Sequence, residues 1–292
     1  HDYVLDLSYN YFGRRLACCN SDQTVQVYDK DQAGWHLSPG CDWKAHRGAV
    51  YRACWAHPEF GQVLATCSED NTVMIWEEQT SFMAQPEQMQ TRWLNKASLT
   101  ESRKSVRGLG FGPPHLGLRL AAAAADGVVR VYEAVDVMNL EHWPVRGSFD
   151  TDVAEMGTLC LSWNQSPFDA PTLCVGGHDG SVQVWREDDN RRWVKALEAN
   201  LGSPLPDTYL PRGGPGAIVD VDWAPNIGRS FHLIAACSAG GGPVVLKVGR
   251  EPVELLSIMQ CDDGPGLDPN PSPNPNPNPN PSPNPSPTPN NP

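Results

Sequence analysis

The sequence predicts an all-β fold of repeated antiparallel units, and three observations carry that reading. First, the stretch Val50–Glu78 holds three short apolar runs, VYRACW, VLATCS and TVMIW. A polar turn at His57–Gln62 and a second around Glu69–Asn71 separate them. Short runs rich in Val, Ile, Thr and Trp, broken by Asp, Asn, Gly and Pro, are the signature of strands in a meander. Second, the pattern returns. Aligned on an Asp and the aromatic six residues after it, the copies are LACCNSDQTVQVYD (Asp22, Tyr28), LATCSEDNTVMIWE (Asp70, Trp76), LAAAAADGVVRVYE (Asp126, Tyr132) and LCVGGHDGSVQVWR (Asp179, Trp185). Third, nine of the ten Trp residues occupy three repeat positions, and Trp43 ends a fourth run.

A three-stranded meander cannot bury both of its faces, so it needs copies of itself. A fourth strand follows the third in each unit, opened by Trp35, Trp93, Trp143 and Trp193 in the first four units. Another aromatic stands upstream of every copy, at Tyr9, Trp55, Phe111, Trp163 and Trp223. Four strands per unit at a period of roughly 50 residues predict a β-propeller of the WD-repeat type.

The units follow in order. Val4 already lies on the first strand, so no earlier segment of this chain lends an outer strand to a closing blade. The edge carrying Val4, Leu5, Leu7 and Tyr9 is therefore expected to be open, and open edges invite pairing with another chain. Spacing varies through insertions at Gln79–Thr91 and Asn200–Pro215, polar or rich in Gly and Pro as surface loops are. The fifth unit is worn: IAACSAGGGPVVLKV puts Gly241 at the Asp position and Lys247 at the aromatic one. VELLSIM, Val253–Met259, supplies its outer strand. From Asp268 to Pro292 the chain is Pro, Asn, Ser and Thr after that single Asp. Such a segment buries no core and is expected to be disordered and polyproline-biased. The division is thus an open propeller of five blades over 1–261 and a tail over 262–292.

Composition excludes several classes. A net charge of −12 with no long basic run argues against direct binding of nucleic acid. The apolar runs fall far short of the roughly 18 residues needed to span a membrane, and no signal-peptide pattern opens the chain. Nine Cys with no C-x-x-C pair read as small buried thiols of a reducing compartment, nucleus or cytoplasm. Cys18, Cys19, Cys67, Cys174 and Cys237 share the second strand of their units. His57, His115, His178 and His232 show no ligand spacing, and the Gly-rich stretches 213–216 and 240–242 lack a following Lys-Ser or Lys-Thr, so neither metal nor cofactor is expected.

His46, Thr66, Asp70 and Trp76 fit a hydrogen-bonded structural tetrad inside a blade, with Asp22, Asp126 and Asp179 repeating the turn Asp. A hydrolytic set of His46, Asp70 and Ser68 competes with that reading, but an Asp recurring at four turns behaves as structure. Trp93 and Trp143 border irregular loops and are candidates for a partner surface.

Certain phrases resemble one family closely. WAHPEFGQVLATCSEDNTVMIWEE (Trp55–Glu78), GLRLAAAAADGVVRVYEAVDVMNLEHW (Gly117–Trp143) and APNIGRSFHLIAACS (Ala224–Ser238) are similar to the SEH-type WD-repeat nucleoporins, over roughly residues 1–250. These are relatives of the outer-cage propeller of COPII coats. The resemblance implies an open six-bladed propeller, of which this chain shows five repeats, completed by a blade inserted from a scaffold nucleoporin of the Y-shaped outer-ring complex. It implies a non-enzymatic role at the nuclear pore and nuclear envelope in transport of mRNA and protein. Alternatives are a subunit of a TOR-regulating complex at the lysosome or vacuole, and a COPII-like coat propeller, against which the loop at Glu133–Leu140 speaks.

Overall fold

The computed structural model describes residues 3–82, 89–153, 157–201, 216–225, 228–239 and 242–260. Among these residues twenty strands form five four-stranded antiparallel sheets. The first takes β1 (Val4–Tyr9), β2 (Arg15–Asn20), β3 (Thr24–Lys30) and β4 (Trp35–Lys44). The second takes β5 (Val50–Trp55), β6 (Val63–Ser68), β7 (Val73–Phe82) and β8 (Met89–Leu99). The third takes β9 (Val106–Phe111), β10 (Arg119–Ala124), β11 (Val128–Glu133) and β12 (Val145–Asp150). The fourth takes β13 (Thr158–Trp163), β14 (Thr172–Gly177), β15 (Ser181–Glu187) and β16 (Trp193–Asn200). The fifth takes β17 (Ile218–Trp223), β18 (Phe231–Ser238), β19 (Val244–Gly249) and β20 (Leu255–Gln260). Strands pair in chain order within each sheet, as up-and-down blades do.

The first strands pack in sequence, β1 on β5, β5 on β9, β9 on β13 and β13 on β17. Each junction has its own apolar core, and each core has the same design. The far face of one sheet offers small and β-branched residues, and the near face of the next offers Leu and large aromatics. Ala17, Cys19, Val25 and Val27 meet Leu64, Trp76 and Trp93. Ala65, Cys67, Val73 and Ile75 meet Leu120, Tyr132 and Trp143. Ala121, Ala123, Val129 and Val131 meet Trp163, Leu173 and Trp185. Cys174, Val182 and Val184 meet Trp223, Ile234 and Leu246. The small side lets the sheets approach closely, and the large side fills what remains. At Gly176 the approach is closest: a Cβ there would lie 2.5 Å from Ile218 Cγ2 and 2.6 Å from Cys160 Sγ.

The structure corrects three readings. In the fifth sheet Leu246 pairs with Ile234 as Tyr28 pairs with Leu16, so the aromatic slot belongs to Leu246, not Lys247. With no Asp to anchor the alignment, a run of Gly and Pro hides a one-residue slip; Gly241 itself lies outside the described residues. The stretch Gln79–Thr91 is only in part a loop. β7 runs on to Phe82 and β8 begins at Met89, paired in register. A hairpin that projects beyond its sheet needs no apolar face, so polar composition masks it. Finally, Cys237 is exposed, whereas Cys18, Cys19, Cys67 and Cys174 are buried. Cys237 stands on the far face of the last sheet, where no following sheet is described. The tail over 262–292 lies outside the described residues.

Candidate functional site

His46, Thr66, Asp70 and Trp76 meet inside the second blade. Asp70 opens the turn between β6 and β7 and accepts from the Thr72 amide at 3.0 Å and its hydroxyl at 2.6 Å. His46 Nδ1 lies 3.2 Å from Asp70 Oδ2, and His46 Nε2 lies 2.8 Å from Thr66 Oγ1. The Trp76 indole N–H donates to the same Thr66 oxygen at 2.9 Å. An ionised carboxylate only accepts, so Nδ1 carries the imidazole proton and Nε2 accepts from the Thr66 hydroxyl. Burial pushes His46 below its ordinary pKa, against the opposing pull of Asp70. Burial alone would raise the Asp70 carboxyl, but hydrogen bonds from Thr72 and the Arg47 amide, with His46 beside it, hold it below the usual range. The set is closed and satisfied, which fixes blade geometry.

The other blades keep the turn and change the network. Asp22, Asp126 and Asp179 each accept the amide two residues on, from Thr24, Val128 and Ser181. In the fourth blade Gln183 replaces His and Thr together: its Oε1 accepts from Trp185 Nε1 at 2.9 Å, and its amide donates to the Thr151 carbonyl. In the third, Arg130 pairs with Asp126 at 2.9 Å and Tyr132 donates to Glu101. Sequence reasoning missed these substitutes. The signal is the residue two before the aromatic, which faces the same side of the sheet.

The geometry leaves no free nucleophile–base pair in this set. Ser68 Oγ accepts from the Asp70 amide, and the His46 nitrogen that would activate a nucleophile is held by Thr66. Ser68, Thr66 and His46 are all buried. Among the described residues no group of three metal-ligating side chains converges. Trp93 and Trp143 do not form a partner surface: both are buried, Trp93 in the first junction and Trp143 in the second, where its indole donates to the Leu140 carbonyl. No helix among the described residues is long and apolar enough to cross a membrane.

What the structure leaves uncovered is the near face of the first sheet. Tyr9, Leu16, Tyr28 and Leu37 lie in one row across its four strands. In the next four sheets the counterparts of Tyr28 are Trp76, Tyr132, Trp185 and Leu246, and all are buried. The counterparts of Tyr9 are Trp55, Phe111, Trp163 and Trp223. Tyr9 is 60 % exposed and Leu7 56 %. Val4, Leu7 and Tyr9 share this face, and Leu5 is the extra residue of a bulge. The opposite face points to the second sheet, where the Asp6 carboxylate accepts the Ala53 amide at 3.0 Å. Burial pushes the Asp6 carboxyl above its ordinary pKa, in spite of that amide and of Arg52. Trp35 adds to the open face, its ring 5.7 Å from that of Tyr9.

Known proteins resemble this chain in sequence and in fold. The family model described as WD domain, G-beta repeat, matches residues 1–29 and 38–77. A protein of Danio rerio named Nucleoporin SEH1 is 42 % identical over 244 residues, which is 80 % of this chain and 62 % of the relative. Proteins of the same name from Bos taurus and Homo sapiens are each 41 % identical over 266 residues, 88 % of this chain and 69 % of theirs. The chain thus spans just under two thirds of the fish relative and slightly more of the mammalian ones. Among solved structures, a chain from a crystal structure of the mitotic checkpoint complex superposes with a TM-score of 0.60 over 90 % of this chain and 66 % of its own. At 14 % identity that likeness is one of fold alone.

Proposed function

The chain belongs to the SEH1 nucleoporin family, and from that premise we propose that it is a non-enzymatic scaffold component of the outer ring of the nuclear pore complex. It binds a scaffold nucleoporin, which adds a blade against the near face of the first sheet. Through that assembly it supports transport of mRNA and protein at the nuclear envelope.

One observation supports the mode of binding. Leu16 and Tyr28 stand at the two positions that every later sheet buries, as Leu64 with Trp76 and Leu173 with Trp185, while Leu7 and Tyr9 beside them are exposed and no described sheet lies against them. The four built junctions specify what fits there: a sheet face of small and β-branched residues like Ala17, Cys19, Val25 and Val27. A lone strand paired edge-on to β1 would leave the row uncovered, so a whole blade fits better. Covering a few large apolar side chains at about 1.5–3 kcal/mol each offers enough to hold a partner after ordering costs.

The test is affinity purification of the tagged chain from its own cells with mass spectrometry of the recovered proteins. Outer-ring nucleoporins are the expected result. Recovery of coat-vesicle or nutrient-signalling subunits in their place would move the scaffold role to another assembly.

A further inference from the structure

Each built junction carries a matched pair at one corner, and the open face of the first sheet carries that corner with its charge reversed. In the first junction Arg15, at the start of β2, donates across the gap to Gln62 Oε1 at 3.3 Å and to Glu78 Oε1 at 2.7 Å. In the third, Arg119, at the start of β10, donates to Glu187 at 3.0 Å. The second junction has Val63 and Ala134 at those places, and the fourth has Thr172 and Val248. A cation of one sheet thus faces an anion of the next there, or neither place is charged.

A backbone bond shows which residues of the first sheet stand on the receiving side. The Glu78 amide donates to the Gln62 carbonyl at 3.0 Å, and the Glu187 amide to the Pro171 carbonyl at 2.9 Å. In the first sheet the Lys30 amide donates to the Arg14 carbonyl at 2.9 Å. Lys30 therefore stands at the place of Glu78 and Glu187, and Arg14 at the place of Gln62. Where the second sheet offers two acceptors to an arginine, the first offers two cations.

Both cations are exposed. Lys30 Nζ lies 5.7 Å from the centroid of the Trp35 ring, which in turn packs by Tyr9 on the open face. The neighbouring carboxylates are engaged elsewhere, Asp29 with Arg15 and Ser38, and Asp31 with the Ala33 and Gly34 amides. Neither Arg14 nor Lys30 has an ion-pair partner among the described residues.

The chain's own fifth sheet does not supply the missing anion. Leu233 pairs with Lys247 there as Arg15 pairs with Asp29 in the first sheet. The matching corner of its far face therefore holds Leu233 and Lys247. Laid against the first sheet, in this chain or from a second copy, it would bring a third cation to Arg14 and Lys30. Like charges set together at an interface cost affinity and reject the wrong partner.

We propose that the blade docking on the first sheet carries an Asp or Glu at the start of its second strand, the place of Arg15 and Arg119, and that Arg14 and Lys30 hold this carboxylate. The lock inverts the built ones, with the anion on the partner and the cations on this chain. It rests on the docking proposed above and adds what selects the partner. A blade with arginine at that place, as in the first and third sheets here, is repelled.

The test purifies the tagged full chain from its own cells in four forms: the parent, Arg14→Glu with Lys30→Glu, Arg14→Lys with Lys30→Arg, and Leu7→Asp with Tyr9→Asp. The parent assembly is also treated with a carbodiimide, which joins an amine to a carboxylate in contact with it. Recovery of outer-ring nucleoporins should fall about tenfold or more with the charge reversal and persist with the conservative exchange. Lys30 should be joined to an Asp or Glu of a recovered nucleoporin, and changing that residue to Arg should restore recovery with the charge-reversed chain. Undiminished recovery with the charge-reversed chain, or no link from Lys30 to a partner carboxylate, would overturn the proposal. If Leu7→Asp with Tyr9→Asp still loses the nucleoporins in that case, the docking stands and the lock alone fails. If that variant keeps them, or the parent recovers none, the docking fails and the lock with it.

Discussion

Thr66 serves two neighbours at once, accepting from the Trp76 indole and donating to His46. Thr66→Val keeps the shape and strands both, so it should destabilise by about 1–3 kcal/mol. A lowered urea midpoint at unchanged slope would register it. The same network sets a pH dependence. His46 titrates below its ordinary value of 6.5 in the folded chain. Between the two values the unfolded chain binds a proton that the folded chain refuses, so stability is full above the ordinary value and is lost as pH falls through the folded one. Asp70, lowered from 3.8, adds a loss of the same sign at lower pH. Urea midpoints taken from about pH 7 down to pH 5 should therefore fall, and His46→Gln should flatten part of that fall. The tetrad was legible because an Asp in a tight turn and a Trp six residues later are local signals. Gln183 and Arg130 were not, since a side chain's role there depends on which way its strand faces.

Ion pairs between elements differ by burial, and the difference is measurable. Arg15 sits under Trp55 and Trp93, bonds Asp29 and Glu78, and joins the first sheet to the second. Arg15→Ala leaves the part-buried Glu78 carboxylate without its partner and should destabilise by about 1–3 kcal/mol. Arg186→Ala, which frees only the exposed Glu251, should cost under about 1 kcal/mol. Side-by-side denaturation of the two variants checks the ranking. Strands themselves were legible from alternation and from β-branched and aromatic content. The ends of β7 and β8 were not, because Gln79–Ser81 and Gln90–Arg92 carry no apolar alternation to read. The fifth repeat was legible as a repeat but not in register, for want of the Asp that fixes the count elsewhere.

At the scale of the whole molecule the sheets form a curved series rather than a flat stack. Arg52 on β5 reaches Asp220 on β17, so the second and fifth sheets meet across the inner strands at 2.7 Å. The first sheet nevertheless presents Tyr9, Leu16, Tyr28 and Leu37 with no described sheet against them. The sequence raised the expectation of an open edge at Val4–Tyr9. It could not show that the open feature is a full face, because that requires the registers of β1 to β4 together. Leu7 and Tyr9 are exposed, so the double variant Leu7→Asp, Tyr9→Asp should keep its unfolding free energy within about 0.5 kcal/mol of the parent. The most direct measurement is quantitative co-purification of the parent, this double variant and Val194→Asp, a change at an exposed residue far from that face in sequence. A blade docked on the first sheet predicts that outer-ring nucleoporins are recovered with the parent and with Val194→Asp, and are lost with the double variant. Equal recovery with all three would contradict it.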